Sequence, residues 1–224
     1  NAIVPAVRKT GYDPFADLRP LTTVAIMPLV LVVPTDRGAQ TLTAFLEISR
    51  KPGVSLNYGS SGVGSLAHLT GHDFARLAAI DATHIPYQGG GPTVAAMMRG
   101  DVQFTFATSL ESASIVSGGR LRIIAVAGPK RAPTLPDIPA IAEELPGFDS
   151  IIWFAMFGPK GLRDDQAERL RTGILKAIEN PAFAKYLADR HAEAKGSTPA
   201  ELTALIKADM ARWGALVRQL NIPI

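Results

Sequence analysis

The 224 residues carry 23 basic and 20 acidic side chains, a formal charge of +3, with no basic stripe interleaved with aromatics of the kind nucleic acid requires. Cysteine is absent, which excludes a disulfide frame, a thiolate-held metal and a cysteine nucleophile while leaving the redox compartment open. With 47% hydrophobic residues the chain can bury a sizeable core as one large domain or two small ones, yet its longest apolar run, Leu29 to Val33, falls far short of the ~20 residues that span a bilayer.

From the start, Asn1 to Asp17 reads as a loop broken by Pro5, Gly11 and Pro14, without the basic start and apolar stretch of a signal peptide. Either the protein is cytosolic or the chain is processed or trimmed, and a loop-like opening points towards trimming. β-branched runs then predict strands at 22–33, 54–58, 83–87, 102–106, 121–127 and 151–158. Helical patterning falls between and after them, at 41–50, 64–79, 90–99, 111–117, 164–179, 181–189 and 198–220. Thr41, the Asp164-Asp165 pair and the Ser197-Thr198-Pro199-Ala200-Glu201 run supply helix-start signals. Strands alternating with helices predict a mainly parallel, doubly wound sheet. The proline-rich stretch from Gly128 to Phe148 predicts an ordered connection with one short helix near 138–144, and a domain change is expected around 148–153, matched by one near Ala25–Leu31.

Two strand-to-helix turns carry the chemistry: Asn57-Tyr58-Gly59-Ser60-Ser61-Gly62-Val63-Gly64-Ser65 and Pro86-Tyr87-Gln88-Gly89-Gly90-Gly91-Pro92. Glycine lets backbone approach a ligand closely, and the N–H groups at the start of each following helix favour an anion. A carboxylate at one such terminus gains ~0.3–1 kcal/mol from the helix dipole when exposed, and more when buried with direct N–H bonds. The alternative is that both turns are ordinary glycine-rich βα connections.

Enzyme motifs fit poorly. Gly62-x-Gly64-x-x-Ala67 superficially meets a dinucleotide fingerprint, but the next strand ends in Pro86-Tyr87 where an acidic residue is needed, and Asp81 precedes it. No lysine-containing phosphate loop follows. Ser60, Ser61 and Ser65 sit where a nucleophile elbow could, but none has glycine at both flanking positions. The histidines are His68, His72, His84 and His191; His68 and His72 are one turn apart, but residue 69 is leucine, no third zinc ligand is evident, and a packing role is the simpler reading. No cofactor and no metal are expected.

Five stretches, in order along nearly the whole chain, resemble the tripartite tricarboxylate transporter receptors, the TctC or Bug family of periplasmic solute-binding proteins. They are Tyr12-Asp13-Pro14-Phe15-x-Asp17-Leu18-x-Pro20-Leu21, the turn from Leu56 through Leu69, and His84-Ile85-Pro86-Tyr87-x-Gly89-Gly90. The fourth joins Leu121-Arg122-x-x-Ala125-Val126-Ala127 to Lys130-Arg131-x-Pro133-x-Leu135-Pro136-Asp137-Ile138-Pro139, and the fifth is Trp153-Phe154 with Gly158-Pro159. The resemblance implies an α/β, periplasmic-binding-protein-like fold: a two-lobed Venus flytrap with doubly wound mixed sheets, closing over a small organic carboxylate for delivery to integral-membrane transporter subunits. It implies no catalysis, no nucleic acid and no membrane span of its own. Residues 29–152 would form the second lobe, and 1–28 with 153–224 what is present of the first.

By the same resemblance Ser60, Ser61, Gly62, Gly64 and Ser65 form the ligand loop, with Tyr87, Gly89, Gly90 and Thr108 beside it and Tyr58, His68 and Trp153 in support. Relatives often place an acidic or amide residue where this chain has Ala107. Family members begin with a signal peptide and a first-lobe βα unit that this chain lacks, so the first lobe is expected to be incomplete and the chain as given to bind weakly or not at all. A serine-dependent hydrolase of small esters or amides remains the alternative, separable by whether one of the three serines reaches a histidine backed by a carboxylate. A ligand sensor for a signalling partner is the third reading. The sequence leaves the ligand's identity open.

Overall fold

A computed structural model of the chain describes residues 10–36 and 39–219. Of the opening loop, 1–9 lie outside the described residues, and so does residue 220, the expected end of the last helix. The chain divides into two compact units, one holding the chain up to Ile26 and again from Trp153, the other Met27–Ile152.

The Met27–Ile152 unit is built on five strands in the order β3-β2-β4-β1-β5. These are β1 (Leu18–Pro34), β2 (Leu56–Ser60), β3 (Ala82–Pro86), β4 (Phe104–Thr108) and β5 (Leu121–Val126). β2 pairs in parallel with β3, from Leu56 opposite Ala82 to Ser60 opposite Pro86, and in parallel with β4. β1 runs antiparallel to both β4 and β5. The mainly parallel sheet expected from alternation is therefore mixed: β2 to β5 share one direction and β1, between β4 and β5, opposes them. A helical crossover forces parallel neighbours only for strands it joins directly, and no such crossover links β1 to β4 or β5, which flank it.

A strand in this central place is covered on both faces, which is why residues 29–33 are apolar without a polar alternate. Leu29, Leu31 and Val33 face one cluster with Phe45, Phe74 and Phe104, while Val30 and Val32 face another with Met97 and Val102. Four helices cover the sheet: α1 (Leu42–Ser49), α2 (Leu66–Ala78), α3 (Gly90–Arg99) and α4 (Ser109–Val116). Ser65 caps α2 by accepting from the His68 N–H, and Ala79 closes it in the left-handed region at φ 53°. The stretch expected to be a loop is one, with a single 3-10 turn at Ile141–Glu143 tied down by an Arg131–Glu143 ion pair.

In the other unit, β6 (Ile151–Pro159) and the two-residue β7 (Glu193–Ala194) each pair with β1, Ala25 standing opposite Ala194. Three helices follow the strand: α5 (Asp164–Ile178), α6 (Pro181–Ala188) and α7 (Pro199–Gln219). Leu202 and Ile206 of α7 are fully buried against Phe15, Trp153 and Phe157. No described helix is long and apolar enough to cross a membrane.

Candidate functional site

Crossovers set the place of the site. From β2 the chain goes to β3 on one side, then returns to β4 on the other, so β2 sits where the winding reverses. In open α/β sheets the crevice beyond the carboxyl ends of such strands is where ligands bind. There the turns after β2, β3 and β4 open α2, α3 and α4, and a cavity of about 540 Å³ lies against all three, within the usual range for a small-molecule site. Leu66 and Ala67 begin α2, Gly90 and Gly91 begin α3, and Thr108 caps α4; all five line the cavity.

These helix starts differ in how their N–H groups are used. The first N–H groups of a helix have no intrahelical acceptor. In α2 the Ser65 hydroxyl takes the His68 N–H at 3.2 Å, leaving those of Leu66 and Ala67 without an intrahelical bond. In α3 the cap is Gly89 at φ 104°, which offers no side-chain acceptor, and Pro92 at the third helical position has no N–H to donate. The N–H groups of Gly90 and Gly91 therefore stand at an uncapped positive helix end. Only glycine takes the Gly89 backbone without strain.

Thr93 locks the two turns together. Its hydroxyl, 3% exposed with the rest of the side chain, lies 2.9 Å from the Gly89 carbonyl oxygen and 3.2 Å from that of Ser60, and the Tyr87 N–H donates to the same Ser60 oxygen. Behind the first turn, His68 and His84 stack with ring centroids 3.7 Å apart. His68 Nδ1 accepts from the Gly64 N–H, so its proton is on Nε2. Burial pushes both imidazoles down to about 4, helped for His68 by His72 and for His84 by His68, so both are neutral near pH 7. The ring of Tyr58 packs against both, and its hydroxyl donates to the His68 carbonyl.

The expected ligand residues divide into two groups. Ser61, Gly90 and Thr108 line the cavity, and the Ser61 hydroxyl has no protein partner among the described residues. Ser60 is fully buried: its hydroxyl lies 2.7 Å from His84 Nε2, 3.0 Å from the Gly62 carbonyl oxygen and 3.2 Å from the Gly62 nitrogen. Ser65 serves as a cap, and the Thr108 hydroxyl accepts from the Glu111 N–H while donating to the Glu111 carboxylate. Gly62 and Gly64, at φ 137° and 76°, shape the turn, and Tyr87 packs beneath it with the Val30 and Val32 cluster. Trp153 is in the other unit, its indole N–H donating to the Asp209 carboxylate at 2.6 Å.

The Ser60–His84 pair is the arrangement a hydrolase would need, but it lacks the third member. No carboxylate bonds to His84 among the described residues, and the Ser60 oxygen is surrounded by the turn it holds. When His84 Nε2–H donates to Ser60 and Ser60 donates to the Gly62 carbonyl, the Ser60 hydroxyl is satisfied on both sides, a structural role. Sequence reasoning gave no part to Thr93 or Glu111, and it took His84 only as one of four histidines and the head of a family stretch, not as the partner of Ser60. The Thr108-x-x-Glu111 spacing of a capping box signals Glu111, but nothing local signals Thr93 or the Ser60–His84 contact.

The family profile described as "Tripartite tricarboxylate transporter family receptor" matches residues 2–222. The chain belongs to this family. Among curated TctC-family relatives, the UPF0065 protein of the tcbD-tcbE intergenic region of Pseudomonas sp. strain P51 is 32% identical over 96% of this chain, which spans 64% of that protein's length. A structure described as a periplasmic transporter superposes at a TM-score of 0.81 with 32% identity, covering 99% of this chain and 75% of the other. Rpa4515 of R. palustris, solved with adipate, reaches 0.80 at 28% identity over 96% and 73%; MatC from Rhodopseudomonas palustris, solved with malate, reaches 0.74 at 25% over 96% and 75%. The fold is thus that of the TctC-type periplasmic binding proteins, and family and fold alike are those of solute-binding receptors.

Proposed function

We propose that this chain is the ligand-binding part of a periplasmic receptor that captures a small organic carboxylate and presents it to a tripartite tricarboxylate-type membrane transporter. The observation that carries the reading is the convergence of three helix starts on one cavity at the winding reversal, with the N–H groups of Gly90 and Gly91 uncapped and the Ser61 hydroxyl available. Such groups hold an anion without a charged side chain and without altering it. The buried, fully bonded Ser60 supports binding over hydrolysis. The adipate and malate bound to its structural neighbours are carboxylates of the expected size.

Thermal-shift screening of small organic acids tests the proposal, since a ligand at a hundred times its dissociation constant adds ~2.7 kcal/mol of stability. At least one carboxylate should raise the melting temperature, and Gly90→Pro should abolish the rise. A flat screen on the full natural protein, or a rise that neutral amides reproduce equally, would refute it.

A further inference from the structure

We propose that His68 is a positioning residue for the ligand turn, holding it only while the imidazole is neutral, so that acid weakens carboxylate capture. This deepens the receptor reading above and rests on it. The turn between Ser60 and Gly64 is fastened at each end by a histidine. At its start the Ser60 hydroxyl oxygen lies 2.7 Å from His84 Nε2, and at its end the Gly64 N–H donates to His68 Nδ1 at 3.1 Å. Between these anchors lie Ser61, which lines the cavity, then Gly62 and Val63, the last 55% exposed and so not held by burial. Ser65, next in the chain, caps α2 by accepting from the His68 N–H. One residue therefore sets the end of the turn with its ring and the start of the helix with its backbone.

A proton would break this fastening. An imidazolium donates from both nitrogens, so a proton added to His68 goes to Nδ1 and faces the Gly64 N–H, donor against donor. His84 stacks on the His68 ring with 14° between planes, and His68 is only 6% exposed, so a charge there is poorly hydrated. Among the described residues no carboxylate bonds to either ring. From β2 the ring of Tyr58 faces the pair, its hydroxyl kept neutral by burial, while β3 and β4 carry no charged side chain besides His84. From α2 itself come His72 and, beyond it, Asp73 and Arg76, which pair with one another. With both buried rings at about 4 against an ordinary 6.5, the closed turn refuses protons that an open one accepts. The turn is thus fully held above about pH 6.5 and is released progressively as pH falls towards about 4.

Calorimetric titration of adipate, malate and benzoate at about pH 7.5 and about pH 5 tests the assignment on the full natural protein, His68→Asn and His68→Ala. Asparagine places an amide oxygen near the Nδ1 position and does not titrate; alanine offers no acceptor. The ratio of Kd at the lower pH to Kd at the higher should be at least about five-fold larger for the natural protein than for His68→Asn, since titration of the probe is common to both. At the higher pH His68→Asn should bind more tightly than His68→Ala. In the natural protein without ligand, exchange protection of the Gly64 amide should fall at least about ten-fold relative to that of Phe74, inside α2, over the same change in pH. Equal Kd ratios in the natural protein and His68→Asn, a natural protein that gains affinity in acid relative to His68→Asn, or unchanged Gly64 protection would overturn the inference and leave the receptor reading standing. A panel in which no acid binds at the higher pH would count against the receptor reading and remove the inference with it.

Discussion

Replacing Gly71 of α2 by alanine tests how tightly the turn-bearing helix is seated. In an open helix this exchange stabilises by about 0.8–1 kcal/mol, because alanine loses less backbone entropy. At Gly71 the new methyl would come within 2.5 Å of Tyr58 Cδ2 and closer still to Cε2. That ring is 1% exposed and walled in by His84 at 5.1 Å and Phe104 at 5.3 Å between ring centroids, so it has no free direction in which to move. Overpacking of a filled core costs about 1–3 kcal/mol, and an overlap this deep belongs at the upper end, leaving a net loss of about 2 kcal/mol. Gly173 of α5 provides the contrast, being exposed with nothing within 4 Å of the added methyl, and the same exchange there should gain close to the full propensity term of about 1 kcal/mol. Scanning calorimetry on both variants should give melting temperatures shifted in opposite directions, by several degrees for Gly71→Ala. If Gly71→Ala melts at or above the natural protein, the packing of Tyr58 under α2 is not as described here.

Acid should loosen the same region. His68 and His84 titrate near 6.5 when unfolded and about 4 when folded, so between those values the unfolded chain binds protons that the folded one refuses. Stability is then full above pH 6.5, falls as pH drops towards 4 by up to about 1.4 kcal/mol per pH unit for each histidine, and stops falling from this source below it. His72, lowered by burial and by Arg76 against the opposing pull of Asp73, adds to the loss in the same direction; a His84→Phe variant should flatten the urea-midpoint profile over this range. Ser65→Ala removes the α2 cap and should cost about 1 kcal/mol in urea titration, with Ser65→Asp restoring most of it. Thr93→Val leaves the Ser60 and Gly89 carbonyls without their shared donor; a loss of about 1–3 kcal/mol together with weaker carboxylate binding is expected, and unchanged binding would separate the turns from one another functionally.

Much of this protein is local enough for sequence to determine alone. The two glycine-rich turns stand where periodicity switches from two to near four. Their helix-opening role follows from residues within a few positions of each other: Ser65 ahead of His68, Gly89 ahead of Gly90-Gly91-Pro92. The five family stretches likewise survive as an ordered string, which is why membership in the TctC family could be read before any coordinates.

Tertiary structure alone decided the sheet's inner direction and the chemistry behind the turns. β1 lies antiparallel between β4 and β5 because pairing partners distant in sequence are chosen by burial on both faces, which alternation of strands and helices does not encode. Ser60 and His84 are 24 positions apart, Ser60 and Thr93 33, and both meet only once β2 and β3 pair and α3 folds back. A serine hydroxyl looks equally available at Ser60, Ser61 and Ser65 when read from the chain. Which of them reaches a ligand, and which is spent holding the backbone, depends on donors and acceptors that folding brings from elsewhere.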